Sequence, residues 1–182
     1  MPGRPITGLT AEIPGPKRAQ LVPSPDVIIS FMKKAMRPLL VIGSDAPGLA
    51  TRDGNLIDSS IRLLKSGKVT VIATGHIVSE FRKRGAEGVY SMQLMNLGDR
   101  LRDAKWGGLD GKGPYDLVVF AGFPYYLEWL VLSGLKNFAP ELRTISLDNT
   151  YQPNAEWSVG MMVEEEWKDF MGKLVGSTEV DG

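Results

Sequence analysis

The sequence predicts a doubly wound α/β domain with a mostly parallel, Rossmann-like sheet of about six strands. Three observations predict it. Residues 37–43, 68–75 and 115–122 are apolar runs with little polar alternation, each ending in glycine, as suits strands covered on both faces. Segments with apolar residues at i, i+3 and i+4 follow them, and parallel neighbours need such crossover helices. The glycines after the runs mark strand exits where the chain turns back over the sheet.

The elements follow in order. Residues 1–23 are rich in proline and glycine without a sustained period and read as an extended N-terminal arm. Residues 24–175 read as the single α/β domain, and 176–182 as a C-terminal tail. Ser24 is placed to cap a helix with Pro25 at its first position, and Val27, Ile28, Phe31, Met32 and Ala35 share one face. After the strand at 37–43, Leu56, Ile57, Ser60, Ile61 and Leu64 mark a helix stopped at Gly67, and the strand at 68–73 closes a βαβ unit. A helix over about 77–83, a short strand at 88–90 and a helix carrying Met92, Met95 and Leu101 lead to a glycine-rich loop at 107–114. The strand at 115–122, a helix over 126–135 and a strand at 142–147 complete the alternation. Met161, Met162, Trp167, Phe170, Met171 and Leu174 predict a last amphipathic helix with Glu164, Glu165 and Glu166 in its early turns. With strand order 3-2-1-4-5-6, the switch point falls between the strands ending at Gly43 and Gly122.

Composition narrows function. With 182 residues and 43% hydrophobic content the chain encloses one ordinary core. Its 21 basic and 21 acidic residues cancel, so no overall field draws it to nucleic acid or an anionic membrane. It has no cysteine and one histidine, which removes the thiolates that iron–sulfur clusters and most structural zinc sites require. The lack of cysteine and of an apolar leader fits a soluble protein of a reducing cytoplasm.

Candidate site residues lie at the strand exits. Gly43, Ser44 and Asp45, in the run Gly43-Ser44-Asp45-Ala46-Pro47-Gly48, offer amides that can cradle a phosphate, although the run has neither P-loop nor dinucleotide fingerprint and a plain turn stands first. Thr74 and Gly75, Gly122 and Phe123, and Asp148 sit at equivalent edges, Asp148 being suited to a ribose or to an ordinary turn. His76 has no nucleophile motif beside it and reads as a structural or surface residue. No aspartate shows metal-ligand spacing, and no catalytic residue is assigned. Tyr125, Tyr126, Trp129 and Trp157 are candidates for a partner surface or for the core.

Several of these segments carry a family resemblance: residues 37–43, 71–75 and 115–123, together with Trp106-Gly107-Gly108-Leu109-Asp110-Gly111 and Leu135-Lys136-Asn137-Phe138. Over roughly residues 24–175 the chain resembles the epsilon subunit of archaeal acetyl-CoA decarbonylase/synthase, and the Trp-Gly-Gly-Leu-Asp-Gly loop is its more specific part. The resemblance implies a fold like the DHS-like NAD/FAD-binding domains. It also implies a non-catalytic subunit bound to the alpha subunit of a carbon monoxide dehydrogenase component (α2ε2), with nickel–iron–sulfur clusters confined to that partner. A stabilising role and assistance to electrons on their way to FAD both go with it, and a homo-oligomer of the isolated chain stays open. The rival readings are an independent flavin- or nucleotide-binding electron-transfer protein and a relic nucleotide-binding domain of a thiamine-diphosphate enzyme.

Overall fold

A computed structural model describes residues 15–179. The elements in order are β1 (Gln20–Leu21), α1 (Pro25–Lys34), β2 (Pro38–Ile42), β3 (Ala50–Thr51), β4 (Gly54–Asn55), α2 (Leu56–Lys65), β5 (Thr70–Ala73), α3 (Ile77–Lys83) and β6 (Tyr90–Ser91). They continue with α4 (Leu94–Arg102), β7 (Leu117–Ala121), α5 (Tyr125–Phe138), β8 (Arg143–Ser146), β9 (Trp157–Ser158) and α6 (Glu164–Glu179). The main sheet runs β1-β9-β8-β7-β2-β5-β6, and every pair in it is parallel. From β6 to β9 this is the 3-2-1-4-5-6 order, with β2 and β7 adjacent at the switch point.

Three features differ from the sequence reading. The sheet has two strands to which the sequence reading assigned no strand, β9 at Trp157 and Ser158 and, paired with it at the edge, β1 at Gln20 and Leu21 of the arm. Residues 1–14 of the arm lie outside the described residues. A two-residue antiparallel hairpin, β3 with β4, precedes α2. The last helix starts at Glu164 rather than at Met161, which is exposed, and runs past Val175, so residues 176–179 of the expected tail form its last turn with Thr178 buried. Packing decides that extension, because α6 lies across α1 and α2 and Leu174 and Val175 are in the core.

The strands are covered on both faces because their side chains alternate between two apolar clusters. Leu40 and Ile42 of β2 join a core with α1, α2, α3 and α6. Leu39 and Val41 face the other way, into a core supplied by α4 and α5. One face of the sheet thus carries four helices and the other carries two. The α2 start is set by a capping box: the Asn55 side chain accepts from the amides of Ile57 (3.0 Å) and Asp58 (3.4 Å), and the Asp58 carboxylate accepts from the Asn55 amide at 2.9 Å.

The glycine-rich loop locks the opposite end of the sheet from the strand exits. Arg37, at the entrance to β2, donates to the Asp110 carboxylate at 2.6 and 3.4 Å and lies over the Tyr115 ring. Trp106 packs on the same ring with centroids 5.9 Å apart. Gly108 has a positive φ of 79°, and a Cβ there would fall 2.5 Å from the Gly113 carbonyl oxygen, so the loop closes only around glycine. Asp116 accepts from the amides of Met36 (2.7 Å) and Arg37 (2.8 Å), tying the starts of β2 and β7 together.

Candidate functional site

The exits of β2 and β7 meet directly. The Gly43 amide donates to the Ala121 carbonyl at 2.9 Å, and the Asp45 amide donates to the Gly122 carbonyl at 2.8 Å. A Cβ on Gly43 would lie 2.3 Å from the Gly122 oxygen and 2.5 Å from the Phe123 ring, and one on Gly122 would lie 3.0 Å from Ala46 while its φ is 77°. Both glycines are required by the approach of these two loops to each other. Phe123 is buried against Phe120, ring centroids 6.2 Å apart, and stands where the two loops part.

Phe123 divides the crevice into two cavities. One, of about 210 Å³, is lined by Ser44, Thr74, Gly75, His76 and Leu127 among others, with Phe123 as its inner wall. The other, of about 260 Å³, lies over Asp45, Tyr125, Glu128, Asp148 and Gln152 on the far side of Phe123. All eight candidate residues therefore lie around one switch point, with Ser44, Thr74 and Gly75 on one side of Phe123 and Asp45 and Asp148 on the other. His76 is exposed at the start of α3, where its carbonyl accepts from the Ser79 hydroxyl at 2.7 Å. Of the aromatic candidates, Trp157 packs on Phe31 at a centroid distance of 5.5 Å, Tyr125 lines the second cavity, and Tyr126 faces outward.

Asp148, at the exit of β8, turns inward. Its carboxylate accepts from the Gly122 amide at 2.6 Å and from the Phe123 amide at 3.1 Å, so it fixes the loop that carries both residues. Beside it lies Glu128 of α5, a residue the sequence reading did not single out, and it is fully buried. The signal was present: Glu128 shares a helix face with Val131, Leu132 and Leu135, all in the core. Burial first, and then the Asp148 carboxylate, push the Glu128 carboxyl well above the ordinary range. Burial also raises Asp148, opposed by hydrogen bonds from Glu128 and from the two amides. Burial and the contact between the two acids favour one proton on the pair, with Glu128 the member pushed toward its protonated form. Gln152 donates to the Tyr125 carbonyl at 3.0 Å and to Glu128 Oε2 at 3.4 Å, bracing the pair.

No group of three or more histidine, cysteine or acidic side chains among the described residues is placed to hold a metal ion. What the described residues place at the switch point is a buried pair of acids and a loop whose amides one of them holds.

These features define a class: a doubly wound, Rossmann-like α/β domain in which glycines and a phenylalanine pack the switch point, without a dinucleotide fingerprint. The particular family follows from comparison. Residues 4–175 match the model of the CO dehydrogenase beta subunit/acetyl-CoA synthase epsilon subunit family, and the chain belongs to that family. It is 40% identical over 157 residues, 86% of this chain and 81% of the relative, to the acetyl-CoA decarbonylase/synthase complex subunit epsilon of Methanothrix soehngenii. It is 33% identical over 162 residues to the same subunit of Methanothermobacter thermautotrophicus, covering 89% of this chain and 90% of that one. The epsilon 1 subunit of Archaeoglobus fulgidus is 36% identical over 136 residues, 74% of this chain and 70% of its own.

Proposed function

We propose that this chain is a non-catalytic epsilon subunit that binds the alpha subunit of a carbon monoxide dehydrogenase component and stabilises it. The observation that carries the reading is a family match along nearly the whole chain in a sequence with no cysteine. A nickel–iron–sulfur centre needs thiolate ligands, so any such centre belongs to the partner. The cytoplasm is the compartment that fits, and no helix among the described residues is long and apolar enough to cross a membrane. Gentle purification of the tagged chain from its native cell tests the reading. A large iron–sulfur subunit should accompany it in equal amount, and the carbon monoxide oxidation of that component should survive heating longer with the chain than without it. Recovery as a lone monomer, or unchanged heat inactivation, refutes it.

A second reading, assistance to electrons passing to FAD, is favoured by one detail: the buried Thr74 hydroxyl has no hydrogen-bond partner at the edge of the 210 Å³ cavity. Flavin released by denaturing the separated chain and read by its fluorescence distinguishes the two, since iron–sulfur absorbance of the partner does not interfere and the structural role alone leaves no flavin.

A further inference from the structure

We propose that the outer face of α4 and α5 is the surface on which an amphipathic helix of the larger partner subunit docks; this rests on the reading of the chain as a complex subunit. The two-helix side of the sheet is where apolar surface is left uncovered. On α5, Tyr126 is 62% exposed, Leu127 44%, Leu130 50% and Phe138 68%, and Met95 of α4 adds 47%. The α5 positions fall on one stripe, while Glu128, Val131, Leu132 and Leu135 on the opposite side are buried. A helix apolar on both sides is built to be covered on both sides.

The shape favours a helix. Gly98, Ser133 and Gly134 line a groove of about 280 Å³ between α4 and α5, with Met95, Leu130 and Phe138 rising beside them. Gly98 is buried against Val131, where it lets α4 and α5 approach each other, and Gly134, whose Cβ position meets nothing closer than 3.8 Å, lets a third backbone come close; a helix brings its own backbone hydrogen bonds, leaving none to be met by the groove. Fourteen residues make α5 about 21 Å long, room for a partner helix anchored at i, i+4 and i+7. The exposed apolar area is on the order of 500 Å², at the upper end for a lone monomer and most of the ~800 Å² that each side of a stable interface buries. Charge argues the same way. The charged residues lining the groove are Asp99 and Arg102, which pair with each other, so nothing there draws a phosphate backbone or an anionic lipid surface.

The experiment is native co-purification of the tagged chain with its large subunit, comparing wild type with Leu130→Arg, Gly134→Leu and Met36→Arg. Leu130→Arg places a charge in the stripe. Gly134→Leu fills the groove while improving helix propensity, and a Cβ there meets nothing closer than 3.8 Å, so the fold is kept. Met36 is 88% exposed but lies between α1 and β2, away from the groove. Wild type and Met36→Arg should recover the large subunit in equal amount. Both groove variants should recover about tenfold less, with unchanged circular dichroism. Folded groove variants that recover it fully overturn the surface while leaving the subunit reading intact. Failure of wild type to recover it overturns both. Self-association of isolated wild type that Leu130→Arg abolishes, with recovery of the large subunit unaffected, makes a second copy the occupant and overturns the proposal.

Discussion

Replacing Glu128 by glutamine should remove a pH dependence of stability that the buried acid pair imposes. Glu128 is fully buried and its carboxyl is pushed well above its ordinary range, first by burial and then by Asp148. In the unfolded chain it titrates at about 4.3. Above that pH the folded state therefore binds more protons than the unfolded state, and stability falls as pH rises toward the folded-state value. The favourable contribution is complete below the unfolded pKa and is lost as the pH climbs through the raised one. One proton gives a slope of up to about 1.4 kcal/mol per pH unit. Glutamine keeps the shape, can donate its amide N–H to Asp148 and carries no proton to lose. The assay is urea unfolding at intervals from pH 5.5 to 8.5 for both proteins, with the difference between their curves isolating the Glu128–Asp148 pair from the other titrating groups. Wild type should lose stability relative to Glu128→Gln as the pH rises above the unfolded value, with a slope of at most one proton's that ends where the folded-state carboxyl titrates. Parallel curves would refute the shared proton, whatever their offset.

Other outcomes follow from the same contacts. Gly43→Ala should cost about 2–4 kcal/mol, a Tm drop of roughly 5–15 °C in a thermal melt, because its Cβ meets the Gly122 oxygen and the Phe123 ring. Gly75→Ala, whose Cβ enters open space, should melt within about 2 °C of wild type. Asn55→Ala should lose about 1 kcal/mol in urea unfolding, since it removes the side chain that caps α2. Trp167→Phe should lose about 1–3 kcal/mol by the same measurement, because the Trp167 indole N–H donates to the Leu147 carbonyl at 2.8 Å and leaves it unpaired when removed.

The sequence was most legible where one period governs one element. The unbroken apolar runs ending at Gly43 and Gly122 located the two central strands, and the α3 range of 77–83 agrees with the structure residue for residue. What escaped was set by contacts remote in the chain. Gln20 and Leu21 carry no strand pattern and become a strand through hydrogen bonds to the β9 region, over 130 residues away. The start of α6 was misplaced because Met161 and Met162 continue the apolar spacing of Trp167 and Phe170, yet the Asn149 side chain holds the Met162 amide (2.6 Å) and carbonyl (2.7 Å) in an extended loop. At the switch point, sequence found the residues, and the structure adds the packing between them. Glycine after a strand can admit a phosphate or a neighbouring loop, and only the 2.3 Å gap between a Gly43 Cβ and the Gly122 oxygen shows which neighbour is there. Glu128 escaped because a lone acid in a helix reads as surface, even though it shares its face with the buried Val131, Leu132 and Leu135.

The location of that acid links the interior to the proposed docking face. Glu128 and Leu130 are two residues apart on α5, so they project to opposite sides of one rigid helix, one toward the Asp148 pair and the other toward the groove. Asp148 in turn holds the amides of Gly122 and Phe123, the residues from which α5 departs after Pro124. The helix that offers the apolar stripe thus follows directly on a loop whose amides the Asp148 carboxylate holds, with Glu128 of its first turn buried beside that carboxylate. In a domain of this architecture the sheet's carboxyl edge ordinarily receives the ligand. Here that edge fixes the position of α5, and a surface held in place before its partner arrives loses less conformational freedom on binding than a mobile one. The raised Glu128 carboxyl, the two glycines packed into the switch point and the exposed helix stripe are thus joined through one helix, which sets the placement of the proposed docking face.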